Sequence, residues 1–199
     1  GMADRAGMLI IDEIPAVGLS FTDDEEAIDA RLDQCKAQVR ELIARDKNHP
    51  AVIMWSVANE PMPPHMLAAI TGQETPPVDP STTEFLRTLH DLARELDPTR
   101  PVTNVGVHGS PTEWLDLGDV VCINRYYGWY TQPAHPAEGA RLLEQEMDGL
   151  YDALQKPILL TEFGAGTIAG THSHPPKMWT EEYQVAFLRH YLDVAERKA

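Results

Sequence analysis

The apolar positions of this 199-residue chain change period several times, and each change marks an element. Residues 8–11 (MLII) are apolar at every position and close with Asp12 and Glu13, which predicts a short buried strand. Ile28, Leu32, Cys35, Val39 and Leu42 then recur at steps of four and three. That spacing predicts a helix over 22–46, with Thr22 and Glu25 spaced as a capping box at its start. Residues 51–60 (AVIMWSVANE) are apolar on both faces, as a central parallel strand must be. A Pro-rich connection over 61–80 is long enough to predict a functional or mobile loop. Ser81 and Glu84 restart a helix striped by Phe85, Leu89, Leu92 and Leu96, and Asp97-Pro98 ends it. Strands are predicted at 102–105, 119–124 and 157–162. A helix over 138–155 carries Leu143, Met147, Leu150 and Leu154, and a last one over 180–197 turns Leu188, Tyr191, Leu192 and Ala195 inward.

Strand and helix alternate throughout, and the strands are apolar on both faces, which argues an α/β parallel sheet. No Gly-rich phosphate loop follows the first strand, so a doubly wound nucleotide-binding fold loses weight. Polar residues gather instead at strand C-termini: Asp12 and Glu13, Asn59 and Glu60, Asn104, Asn124, Glu162. That is where a (β/α) barrel carries its chemistry. The expected fold is therefore a (β/α)8 TIM-barrel type, one domain over 1–199, with about five of the eight β-α units of such a barrel readable. The remaining strands are expected before residue 8 and after residue 199.

Charge and cysteine usage narrow the partners. A formal net charge of −15 sets aside nucleic acid and anionic membrane surfaces, which are held by clustered Lys and Arg. No apolar run approaches the roughly 18 residues that cross a bilayer. Cys35 and Cys122 lie far apart in apolar patterns, which fits buried free thiols in a reducing, cytoplasmic setting. His172 and His174 have no third ligand at useful spacing, so no metal and no cofactor is expected.

The chemistry concentrates in WSVANEP (55–61) and PILLTEFGAG (157–166). Each is an apolar run ending in a glutamate, Glu60 and Glu162. Either alone is an ordinary strand-end carboxylate; the pair is the equipment of a glycosidase, in which one carboxyl protonates the leaving oxygen and the other attacks the sugar carbon. They lie 102 residues apart, three β-α units, which would set them across one barrel mouth. A retaining mechanism wants the carboxyls about 5–5.5 Å apart, an inverting one about 6.5–9.5 Å. Trp55 sits mid-strand, where packing is expected, whereas Trp129 at a strand end is placed to line a pocket.

RDKNHPAVIMWSVANEP (45–61) resembles the acid/base segment of glycoside hydrolase family 2. INRYYGWY (123–130), TEFGAGTIAG with MWTEEYQ (161–184) and LIIDEIPAVGL (9–19) are similar to its glucuronide-cleaving members, and the similarity covers nearly the whole chain outside 61–80. The resemblance implies Glu60 as general acid/base, Glu162 as nucleophile, Asn59 on the sugar 2-hydroxyl, Asn124 and Tyr126 lining the pocket with Tyr126 touching the nucleophile, and Tyr130 near the sugar carboxylate. It implies Asp12 at the barrel mouth, a glucuronide as substrate, and the residues gripping the sugar carboxylate beyond residue 199. Open strand edges would favour a homo-oligomer, and weak hydrolysis is expected of the chain alone. A β-galactosidase or β-mannosidase relative and a non-catalytic sugar-binding module are the competing readings.

Overall fold

A computed structural model describes residues 1–64, 66, 74 and 77–198. Among them the strands are β1 (Ile10–Glu13), β2 (Val52–Asn59), β3 (Val102–Gly106), β4 (Val121–Asn124) and β5 (Ile158–Glu162). The helices are α1 (Met2–Ala6), α2 (Glu25–Asp46), α3 (Pro80–Leu96), α4 (Thr112–Leu115), α5 (Pro136–Leu154) and α6 (Glu181–Lys198). The sheet order follows the chain, β1-β2-β3-β4-β5. β1 with β2, β2 with β3 and β3 with β4 all pair in parallel. This is the α/β, TIM-barrel-type alternation expected from the sequence. Part of the Pro-rich connection (65, 67–73, 75 and 76) lies outside the described residues.

The chain forms two compact units, Gly1–Ile123 and Asn124–Ala199. In the first, β2 shows why its sequence is apolar on both faces. Trp55 and Val57 join Phe85, Leu86, Leu89, Val39 and Ile43 in the core beneath the helices. Met54 meets Val105 and Cys122 on the other face. Period-two alternation thus buries both sides of one strand. A buried polar hub closes the lower end of this layer. Asp97 accepts from Trp55 Nε1 (3.1 Å), Thr99 N (3.0 Å) and Arg100 Nη1 (2.6 Å), and Arg100 lies 5.6 Å from the Trp55 ring. Burial works against ionisation of Asp97, but the donors from Thr99, Arg100 and Trp55 outweigh it and hold its carboxyl at about 2.

The second unit has its own core, with Tyr183, Phe187, Tyr191 and Val194 of α6 against Leu143 and Ala140 of α5. Phe187 and Tyr191 stack with ring centroids 4.3 Å apart. This stripe keeps Tyr191 and the partly buried Leu188 of the expected one but not Leu192, which is 52% exposed, or Ala195, which is exposed, because Tyr183, Phe187 and Val194 fill the face with Tyr191. Cys35 and Cys122 are buried and free.

Element boundaries move as well. β1 starts and ends two residues later than the MLII run, leaving Met8 and Leu9 exposed and placing Asp12 and Glu13 inside the strand. α2 is capped by Asp24, whose carboxylate accepts from Ala27 N at 2.9 Å, while Thr22 pairs with Ser20. α3 is capped by Asp79 with Pro80 in its first turn. In both helices an aspartate two residues away displaces the hydroxyl residue expected at the cap, Asp24 after Thr22 and Asp79 before Ser81. α1 and α4 were not visible in the periodicity; at 5 and 4 residues they are too short to display one.

Candidate active site

In the first unit, β2 delivers Asn59 and Glu60 to its C-terminal end. The turn beyond β1 pins the backbone there: Asn59 N donates to Ala16 O and Gly18 N donates to Asn59 O, each at 2.9 Å. Glu60 N donates to Val105 O at 2.8 Å. Glu60 itself sits at φ 51°, left-handed backbone that a non-glycine residue adopts at a cost of about 1–2 kcal/mol. Strain of this kind is held only where the surroundings over-determine it, and it concentrates at functional positions.

Asp12 and Glu13 leave β1 in opposite directions. Glu13 accepts from Ser56 Oγ at 2.6 Å, on the face of β2 that also carries Met54. Asp12 does not reach a barrel mouth, contrary to expectation. It shares a hydrogen bond with Asp46 in the last turn of α2 and lies 4.0 Å from Arg45 Nη2. Burial first, and then the Asp46 carboxyl, push Asp12 up to about 6. The expectation failed because the strand register places Asp12 on the helix side.

In the second unit, Asn124, Tyr126, Tyr130 and Glu162 come together. The Tyr126 hydroxyl donates to Glu162 Oε2 at 2.7 Å. Arg125 N donates to Glu162 O at 2.9 Å, which fixes the end of β5 against the segment leaving β4. Thr161 Oγ1 donates to Asn124 Oδ1 at 2.7 Å and so orients that buried amide. The Tyr126 and Tyr130 rings are 5.0 Å apart, with Tyr130 exposed at the rim.

Trp129 takes a packing role. It meets Trp179 edge-on with centroids 4.7 Å apart and lies against the second core. His172 is held by Glu182 (Nδ1 to Oε1, 2.7 Å), and that carboxylate raises its pKa. The sequence reading missed Thr161 and the pair Arg125–Glu146. Arg125 is 1% exposed, and its Nε and Nη2 bond Glu146 Oε2 and Oε1 at 2.7 and 2.6 Å. The signal was present: an arginine in an otherwise apolar strand-end run must find a buried partner.

The profile of glycosyl hydrolases family 2, TIM barrel domain, matches residues 1–199. The chain belongs to glycoside hydrolase family 2. It is 38% identical to the β-glucuronidase of Paenibacillus borealis over 211 residues, covering 98% of this chain and 32% of that protein. The human β-glucuronidase is 39% identical over 201 residues, covering 99% of the chain and 28% of that protein. Among solved structures, the Bifidobacterium dentium β-glucuronidase complexed with coumarin-3-O-glucuronide superposes with a TM-score of 0.85 at 36% identity, covering 99% of this chain and 30% of that one. The Dictyoglomus thermophilum β-D-glucuronidase gives 0.83 at 38%, covering 98% and 33%. The chain thus spans about a third of the length of these family members.

Proposed function

We propose that this chain carries the two catalytic carboxylates of a retaining β-glucuronidase. Glu162 attacks the anomeric carbon with its free oxygen while Tyr126 holds the other; the bond to the leaving group breaks as Glu60 protonates the departing glycosidic oxygen. Glu60 then takes a proton from water, whose oxygen displaces Glu162 and releases the sugar. Asn59 binds the 2-hydroxyl, Asn124 and Tyr126 line the pocket, and Tyr130 stands near the sugar carboxylate. The observation that carries the reading is the Tyr126–Glu162 hydrogen bond at the end of β5, in a chain of this family. The glucuronide is favoured over a galactoside or mannoside by the names of the relatives, and over a sugar-binding remnant by the strained backbone at Glu60.

The test is hydrolysis of an aryl β-glucuronide beside the matching galactoside and mannoside. Glucuronide turnover that Glu162→Gln and Glu60→Gln both abolish is expected. Turnover unaffected by either change, or preference for a neutral sugar, would contradict it. We also propose self-association through apolar surface such as Met8 and Leu9, 60% and 73% exposed, which a monomeric mass by light scattering would refute.

A further inference from the structure

We propose that Glu146 and Tyr127 act with Arg125 as positioning residues, a buried ionic anchor that fixes the chain leaving β4 and thereby aims Tyr126 at Glu162. The proposal rests on Glu162 as the reacting carboxylate. It goes further by assigning a function to groups that touch neither substrate nor nucleophile through their side chains.

Residues 124–127 alternate. Asn124 and Tyr126 meet Thr161 and Glu162 on β5. Arg125 and Tyr127 point the other way, to α5, where Tyr127 OH joins Arg125 on Glu146 by donating to Oε2 at 2.9 Å. Arg125 Nη1 also donates to Asn124 O at 2.7 Å. Burial and the adjacent Glu146 carboxylate push the Tyr127 phenol up, so it stays a donor.

A buried ion pair is a poor way to gain stability, because desolvation consumes much of what attraction returns. An apolar side chain at 125 would pack the same space without that cost. What the pair supplies is direction: a planar guanidinium satisfies a carboxylate fork in one orientation only. The segment has little slack elsewhere. Tyr191 OH donates to Tyr127 O at 2.8 Å, and Tyr183 OH donates to Gly128 O. Gly139 lets α5 lie directly on this backbone, since a Cβ there would sit 2.3 Å from Tyr127 O. Arg125 N simultaneously holds Glu162 O. One residue therefore fixes the nucleophile's backbone and, through its neighbour, the nucleophile's hydrogen-bond donor.

The experiment is NMR of the chain carrying ring-13C tyrosine, followed from acid to neutral pH. The Tyr126 signal, identified by Tyr126→Phe, is expected to step as its acceptor ionises, and Glu162→Gln is expected to remove the step. In Glu146→Gln, and in the milder Tyr127→Phe, the step is expected to shrink by about half or more as Tyr126 swings off the carboxylate. Where Glu146→Gln does not fold, Tyr127→Phe decides. A full-sized step in the folded variants would overturn the proposal, as would a wild-type Tyr126 signal indifferent to Glu162. Trapping of wild-type Glu162 by a 2-fluoroglucuronide runs as a separate arm: its failure counts against the nucleophile assignment, while the NMR step alone judges the anchor.

Discussion

Asp12→Asn should stabilise the protein at pH 8 and leave it nearly unchanged at about pH 3.5, below the unfolded value of the carboxyl. Asp12 and Asp46 share a hydrogen bond beside Arg45, so one of the two carboxyls must carry a proton for the contact to be favourable. Burial and the Asp46 carboxyl raise Asp12 from 3.8 to about 6. A folded value above the unfolded one means that the contribution is fully present below 3.8 and is lost as pH rises through about 6. At 1.36 kcal/mol per unit the shift corresponds to at most about 3 kcal/mol. Asp12 is 20% exposed and Arg45 is 69% exposed, so solvent screening reduces this to about 1–2 kcal/mol. Asparagine donates to Asp46 at every pH and removes the loss. Urea unfolding of wild type and Asp12→Asn at about pH 3.5 and at pH 8 reads the difference directly. Asp29→Asn, an exposed site on α2, controls for the loss of one charge from a chain of net charge −15. A gain of the same size at both pH values, or one matched by Asp29→Asn, would refute the reasoning.

Tyr126→Phe removes a charge-assisted donor from an exposed carboxylate, worth about 1–1.5 kcal/mol there, so glycosyl-enzyme formation should slow about five- to tenfold, read as the rate of covalent labelling. Asp97→Asn should cost about 2 kcal/mol at neutral pH in urea unfolding; its folded value lies below the unfolded one, so the wild-type advantage is present above 3.8 and fades as pH falls through about 2.

How much of this was legible depended on how local the determinant was. β2 could be read directly, since a strand covered on both faces spells out its burial in a few consecutive residues; β5 was found from the same apolar run, although Leu159 on it is 38% exposed. The stripe of α2 was readable because Cys35, Val39 and Ile28 recur within one element. The stripe of α6 was read in part: Tyr191 is buried and Leu188 packs against the core as expected, but Leu192 looks as apolar as Phe187, and only packing against α5 chooses between them. The two glutamates and their flanking motifs were legible as chemistry. The supports were not, because each is a contact between distant positions: Thr161 on Asn124 across 37 residues, Glu146 on Arg125 across 21. Asp12 went wrong for a related reason. Neighbouring strand residues face opposite ways, so a strand placed two residues early leaves the facing of Asp12 and Glu13 undecided.

The proposed mechanism depends above all on Glu162 as the reacting carboxylate. Incubation of the chain with a 2-deoxy-2-fluoroglucuronyl fluoride, followed by proteolysis and mass spectrometry, should find one glycosyl adduct on the peptide of β5, at Glu162, absent in Glu162→Gln. An adduct on Glu60 or elsewhere, or wild-type protein left unlabelled under conditions that label a full-length family member, would contradict it.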